Sequence, residues 1–290
     1  MAIEYFEPTS VAEAAALAAR FGASASFIAG GTDLVIQMRR GVRHPAQLID
    51  LQRIAGLDAI AIAGGQIRIG GLTRHRAIER HPYFRAGLHA LVESAEVVGG
   101  FQVRNVGTVG GNLCNASPAA DLSPILLVLE ATVHLAGTGG ERTLPLAEFL
   151  QGPGRTGRAP DELLTAVSCA VPPPASGTAF IKQGRRAAME ISVVSVAALV
   201  TLAADGRCLD ARIAVGAAAP QARRMPAAAA LLRGAAWSEA ALAEAGRIAA
   251  AACAPLSDVR ASAAYRRHLV KVLVPRALRR CGQRATGMTP

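Results

Sequence analysis

Apolar residues recur along the first fifty positions at two different spacings. In "PTSVAEAAALAARFGA" they return every three or four residues, the period of a helix with one buried face. Ser10, three residues before Glu13, makes a capping box at its start, and Gly22 ends it. "ASFIAGG" is a short apolar run closing on two glycines, which predicts a buried strand entering a turn. "DLVIQMRRG" predicts a short helix and "AQLIDL" a second strand. Strand and helix alternate here, as in a small α/β unit.

The pattern then changes to strict alternation. In "AIAIAGGQIRIGG" two alternating runs flank Gly64 and Gly65, the signature of a β-hairpin. Residues 73–97 have helical spacing, interrupted by His81–Pro82. "ATVHLAG" alternates as a strand, and "LPLAEFLQGPGRTGRAPDELLTAV" reads as a short helix, a Gly/Pro loop and the start of another strand. "VPPP" at 171–174 is the strongest boundary signal. Beyond it "TAFIKQGRR", "ISVVSVAALVTLA" and "LDARIAVGAAA" predict three antiparallel strands. The middle one is apolar at both odd and even positions, so it should be central, with the Ala-rich helical remainder from about 226 packed on it.

Composition sharpens this in three ways. Apolar residues make up 51% but aromatics only 4%, so the cores must be built of Ala, Val, Leu and Ile. Length favours more than one domain. The formal charge of +10 is carried almost wholly by Arg, since Lys182 and Lys271 are the only lysines. That charge admits a nucleic-acid or acidic protein partner. Aromatics to stack bases are scarce and no binding motif is present, so nucleic acid is not expected. The five cysteines, at 114, 169, 208, 253 and 281, stand too far apart for a zinc or iron–sulfur motif, so no metal ligand is assigned. An odd, unpaired set suits a reducing compartment. "MAIEYFEPTS" lacks the features of a signal peptide, and the fourteen-residue run "ISVVSVAALVTLAA" is too short to span a bilayer. A cytoplasmic location is expected.

The chemistry concentrates in two glycine turns. "IAGGTDL", Ile28–Leu34, places Gly30 and Gly31 at a strand end with Thr32 and Asp33 at a helix start, where free N–H groups attract anions. A bare structural turn accounts for that stretch equally well. "GTVGGNLCNASPAAD" is the second turn. Asn105, Asn112 and Asn115 are the only asparagines of the chain and fall within eleven residues. Gly110 and Gly111 permit close backbone approach; Thr108, Asn112, Asn115 and Ser117 offer hydrogen bonds; Asp121 could accept from a ribose hydroxyl. Two such turns suit a ligand with two phosphates, which points to a dinucleotide held without a Rossmann motif.

The chain resembles the FAD-binding subunit of the molybdenum hydroxylases, the xanthine dehydrogenase and carbon monoxide dehydrogenase group, over essentially its whole length. The resemblance is carried by "FIAGGTDLVIQMRRG", "VRNVGTVGGNLCNASPAADLSPILLVLEATV", "FLQGPGRTGRAPDELLTAV", "FIKQGRRAAMEISVVSVAA" and "YRRHLVKVLVPRAL", in that order. It implies an α+β fold: a two-lobed FAD-binding domain of the p-cresol methylhydroxylase (PCMH), or vanillyl-alcohol oxidase-like, type over 1–174. Its lobes would be about 1–55 and 56–174. A C-terminal α+β domain over 175–290 would carry the three-stranded antiparallel sheet and helices. The turn matching Ile28, Ala29, Gly30, Gly31, Thr32, Asp33 and Leu34 would wrap the pyrophosphate of FAD. The stretch matching Thr108, Val109, Gly110, Gly111, Asn112 and Leu113 would do so from the other lobe. Asp121 would hold the cofactor further along, Leu164 would pack on the flavin, and Lys182 would lie near its edge, where an ammonium stabilises an anionic reduced ring. Some relatives have an aromatic where Val98 stands, so stacking there is lost or taken by Phe101. The cysteine-bearing loop of the hydroxybenzoyl-CoA reductases is absent.

This resemblance implies an oxidoreductase subunit with no catalytic side chain of its own. Partners would be a molybdopterin-binding large subunit and a small subunit with [2Fe–2S] clusters, in a heterotrimer. Electrons would leave through FAD to NAD or another acceptor. The competing reading is a free-standing flavin reductase of the same fold superfamily. It would need an acid–base constellation, and His44, His75, His81, His89, His134 and His268 are scattered.

Overall fold

A computed structural model describes residues 3–287, so Met1 and Ala2 of the stretch read for targeting, and 288–290 at the other end, lie outside it. Among the described residues three larger sheets follow one another along the chain, with a two-stranded pair beside the second.

The first fifty residues form β1 (Glu4–Phe6), α1 (Val11–Phe21), β2 (Ala25–Ile28), α2 (Leu34–Arg39) and β3 (Gln47–Asp50). The strands make a parallel sheet in the order β1-β3-β2. β1 has three residues, too few to show a period. Ser10 Oγ accepts from Glu13 N at 3.1 Å, and Glu13 Oε2 accepts from Thr9 N at 2.8 Å, so the capping box closes one residue earlier than the standard form. The buried face of α1 is Ala14, Ala15 and Ala18, small enough to bring the helix close to Ile49.

The second unit opens with the hairpin β4 (Ile60–Ala63) and β5 (Gln66–Gly70), turned by Gly64 and Gly65 at φ 57° and 73°. A run of short helices follows: α3 (His75–Arg80), α4 (Pro82–Gly87), α5 (His89–Glu96), α6 (Phe101–Val106), α7 (Val109–Asn115) and α8 (Leu122–Val128). Then come β6 (Thr132–Gly137), β7 (Gly140–Pro145), α9 (Leu146–Phe149), the small pair β8 (Leu150–Gly152) and β9 (Arg155–Thr156), and β10 (Leu163–Ala170). The order β4-β5-β10-β6-β7 makes an antiparallel sheet, with β10 entering between the two hairpins.

The third unit has β11 (Ser176–Gln183), β12 (Val194–Leu202) and β13 (Cys208–Gly216) in antiparallel order, as expected, plus a two-residue edge strand β14 (Arg223–Arg224) that no sequence pattern marks. Helices α10 (Pro226–Leu232), α11 (Glu239–Ala252) and α12 (Ala263–Ala285) follow. β12 is central and every one of its residues is buried. α12 packs on one face of this sheet, and α5 and α8 of the second unit pack on the other. One hydrophobic core therefore joins Leu91, Ile125 and Leu126 to Phe180, Ala197, Leu199 and Ala214.

Arg266, on the first turn of α12, is the buried charge of this unit, with 4% of its surface exposed. It donates to the carbonyls of Val193 at 2.5 Å and Ala217 at 3.0 Å and to Asp258 at 2.8 Å. Arg266→Met leaves all three acceptors without it and is expected to cost about 3–5 kcal/mol. The midpoint of urea unfolding checks this. Arg266→Lys should not restore it, because a point charge cannot span three acceptors.

Candidate functional site

The first glycine turn leaves β2 at Ile28 and enters α2 at Leu34. Gly31 has φ 66°, a conformation that favours glycine. Asp33 takes the N-cap position without a side-chain cap bond, so the first-turn N–H groups of α2 keep no partner of that kind. Gly30 has a different reason to be glycine. A Cβ there would stand 1.9 Å from the carbonyl oxygen of Val106. The first turn is thus pressed directly on the chain entering the second, and the two lobes meet at their glycines.

The second turn is a helix start rather than an open loop. Thr108 caps α7, its Oγ1 accepting from Gly111 N at 3.1 Å. Val109 N donates to Thr73 O at 2.9 Å, Gly110 N to Gly71 O at 2.7 Å and Asn112 N to Thr108 O at 2.9 Å. The anion-attracting N–H groups expected there are already engaged, two of them by the loop after β5. This corrects the picture of two equivalent cradles. The first turn offers free donors; the second offers room and side chains. A Cβ on Gly110 would meet Gly71 O at 2.7 Å, whereas one on Gly111 would meet only Thr108 Oγ1, at 2.9 Å, with open space beyond.

Between the turns lies a cleft of about 560 Å³, within the range of sites for small molecules and cofactors. Of the expected residues, Ile28, Ala29, Gly30, Gly31, Thr32, Asp33, Leu34, Thr108, Gly110, Gly111, Asn112, Asn115, Ser117, Asp121 and Leu164 line it. Val109 and Leu113 do not: both are wholly buried on the core side of α7. Asn115 Oδ1 accepts from Gln37 Nε2 at 3.1 Å, a bond between α7 and α2 across the lobes. Ser117 Oγ accepts from Ala119 N at 3.3 Å. Asn112 Oδ1 is enclosed and has no partner, an acceptor left for something else. Val98 lines the cleft; Phe101 does not, and instead lies under the Arg76 guanidinium, 4.6 Å from its ring centroid.

Lys182 and Asp121 turn out to be one feature. Lys182 Nζ donates to Asp121 Oδ2 at 2.8 Å and to Val97 O at 3.0 Å, and Ser192 Oγ donates to Asp121 Oδ1 at 2.7 Å. Lys182 lines a neighbouring 400 Å³ cavity with Val97, Gln183 and Glu190 and is not on the wall of the main cleft. Both side chains are about nine-tenths buried. Burial pushes the Asp121 carboxyl up, against the pull of the Lys182 charge and the hydrogen bonds from Lys182 and Ser192. The Asp121 oxygens thus serve the protein itself, and the expected bond to a ribose hydroxyl would have to be additional.

Two cleft residues carried no sequence signal. His75 lines the wall beside Gly107, and burial, helped by the Arg104 charge, lowers it to about 4, so it is a neutral ring. Arg158 lies in the Gly/Pro loop between β9 and β10, near Phe27. Among the described residues no three or more of His, Cys, Asp and Glu are grouped to hold a metal, and no helix is long and apolar enough to cross a membrane.

Two family descriptions match in tandem: "FAD binding domain in molybdopterin dehydrogenase" over residues 1–173 and "CO dehydrogenase flavoprotein C-terminal domain" over 179–281. The chain is 33% identical to the carbon monoxide dehydrogenase medium chain of Afipia carboxidovorans, over 97% of each. It is 34% identical to the 6-hydroxypseudooxynicotine dehydrogenase complex subunit alpha of Paenarthrobacter nicotinovorans, over 97% of this chain and 95% of that one. The fold superimposes on a chain of carbon monoxide dehydrogenase from Hydrogenophaga pseudoflava with a TM-score of 0.94 at 32% identity, covering 98% of both. The chain belongs to the FAD-binding medium subunits of the molybdenum hydroxylase family of oxidoreductases.

Proposed function

We propose that this chain is the electron-transfer subunit of a molybdenum hydroxylase complex, with FAD seated in the cleft between the two glycine turns. FAD, when bound, supplies redox chemistry between the [2Fe–2S] clusters of a small partner subunit and NAD or another acceptor. Oxidation of the organic substrate belongs to a large, molybdopterin-binding partner. Relatives at 33% and 34% identity serve carbon monoxide and 6-hydroxypseudooxynicotine dehydrogenases, so likeness of this chain does not select a substrate. Five free cysteines fit a cytoplasmic setting.

The observation that carries the reading is the cradle. Gly111 borders the cleft with only Thr108 Oγ1 within reach of an added carbon, and the N-terminus of α2 lacks a side-chain cap, while the enclosed Asn112 Oδ1 is an acceptor for a hydroxyl or N–H of the ligand. The first two features fit a diphosphate between the lobes. Thr32 and Asp33 N–H groups would meet it from the first turn, and Thr108, Asn112 and Ser117 side chains from the second. Leu164 and Val98 would give the ring an apolar seat at the far end. The roles of the chain are to bind, to orient and to keep water from the ring.

The test is isolation of the protein from its own cells, followed by flavin absorbance and metal analysis. One FAD per chain, with molybdenum and iron in co-purifying subunits, is expected. A flavoprotein that isolates alone and reduces a substrate of its own would overturn the reading in favour of a free-standing reductase.

A further inference from the structure

Two cations on the cleft wall, Arg43 and Arg158, make no ion pair among the described residues, and Arg158 is the one held in place by hydrogen bonds. Arg158 donates through Nη1 to the carbonyls of Ala159 at 3.0 Å, Pro160 at 3.1 Å and Glu162 at 2.6 Å. Its guanidinium carbon lies 5.5 Å from the centroid of the Phe27 ring. It makes no ion pair among the described residues. Neither acid of its own loop pairs with it: Glu162 accepts from Arg142 at 2.5 and 2.8 Å, and Asp161 accepts from Thr138 N at 3.0 Å, with the Arg158 charge adding only the last pull that lowers its carboxyl. Carbonyl dipoles orient a guanidinium without cancelling its charge, and an aromatic face favours a cation over a neutral group. The charge is felt at Cys114 on α7, one turn beyond Gly111, where it opposes the upward push of burial on the thiol.

Only Nη1 is engaged. Nε–H and the Nη2 hydrogens make no hydrogen bond among the described residues, and together they form the edge by which arginine grips a phosphate with two parallel bonds. Phe27, beside Arg158, packs with Ala18, Ala25 and Leu51, and these residues and Gly22 line the cleft with small and apolar surfaces suited to a flat purine. Leu164 and Val98 line the cleft as well.

We propose that Arg158 is the phosphate-binding residue for the adenylate half of the dinucleotide, its Nε/Nη2 edge pairing with the phosphate on the adenosine side. This rests on the placement of FAD in the cleft. The bland alternative is that Arg158 only holds the 159–162 loop together.

The experiment uses flavin-stripped protein and measures affinity for FAD, ADP and riboflavin, by quenching of flavin fluorescence or by competition. Arg158→Gln keeps amide donors for the loop carbonyls and loses the charge; Arg158→Lys keeps the charge and loses the fork. Gln is expected to weaken FAD and ADP by about 10- to 100-fold, and Lys by less, with riboflavin unchanged. The decline of FAD affinity with added salt should also be shallower in Gln than in wild type. Equal FAD affinity and equal salt dependence, or a matching loss of riboflavin, would overturn the inference and leave Arg158 a loop support. Wild-type apo-protein that takes up no FAD would overturn the placement of the cofactor and this inference with it. FAD uptake by wild type with an unaffected Gln variant would sink the inference alone.

Discussion

Gly111→Val is expected to give a folded protein that purifies without flavin. The branched side chain would enter the part of the second turn that borders the cleft, where the one scaffold atom within reach of the new Cβ is Thr108 Oγ1, at 2.9 Å. The neighbouring glycines cannot serve as the same probe. Gly30 stands against the backbone of Val106 in the other lobe and Gly110 against that of Gly71 in its own, so a side chain at either would displace backbone and loss of flavin would only report misfolding. At Gly111 the first added atom meets a hydroxyl that can rotate. Gly111→Ala should therefore bind FAD weakly and Gly111→Val not at all, with the two apo-proteins less stable than stripped wild type only by the Thr108 cap, about 1 kcal/mol. The ratio of flavin to protein absorbance reads the effect. Full occupancy in the valine variant would remove the diphosphate from this turn.

Lys182→Met is expected to lose about 3–5 kcal/mol of stability, because it strands the Asp121 carboxylate in a buried position. The loss should depend on pH in a defined direction. Asp121 already has its carboxyl raised by burial. A group raised above its unfolded value of ~3.9 binds more protons folded than unfolded, so it favours the fold below that value and loses this contribution as pH climbs. Without the lysine the shift grows, and the variant should become progressively weaker from about pH 4 toward neutrality. Adding Asp121→Asn should flatten that dependence and recover most of the stability; urea titrations of the four proteins of the cycle measure it. A Lys182→Met variant as stable as wild type at neutral pH would mean the pair does not form. The same pairing alters how Lys182 would act on the flavin, since an ammonium balanced by a carboxylate exerts a smaller field than a bare one. The potential of Lys182→Met must be compared with that of Asp121→Asn before the charge is assigned to the ring.

What could be read from the sequence follows from what short-range pattern can express. Gly64–Gly65 between alternating runs left no alternative to a hairpin, and a nine-residue strand buried throughout had to be central. α7 was hidden because Gly110 and Gly111 are poor helix formers; the helix is held from outside, by Gly71 and Thr73 carbonyls nearly forty residues earlier. The glycines at the site were legible, but their separate duties were not. Whether a glycine makes room for a ligand or for another backbone depends on contacts such as Gly30 with Val106, 76 positions away in the chain. Lys182 is marked by its rarity, yet its partner sits 61 positions earlier, at the start of α8, and meets it where that helix packs on the sheet. Arg158 lies within "FLQGPGRTGRAPDELLTAV", and its orientation is set by three carbonyls of a loop without period.

The sheet of the third unit covers the helices of the second, and this bears on how the chain is made. The apolar side of α8 is complete at Val128, but β13, which covers it, ends at Gly216, roughly ninety residues later. At elongation rates of roughly 5–20 residues per second, the nascent protein carries an uncovered greasy surface for on the order of 5–20 seconds. The proline run at 171–174 falls inside that interval. A ribosome halted there would hold an intermediate that is sticky rather than a finished module, so release of the first 174 residues alone should yield aggregate, and the gene has to be translated through β13 before the flavin cleft has its supporting wall.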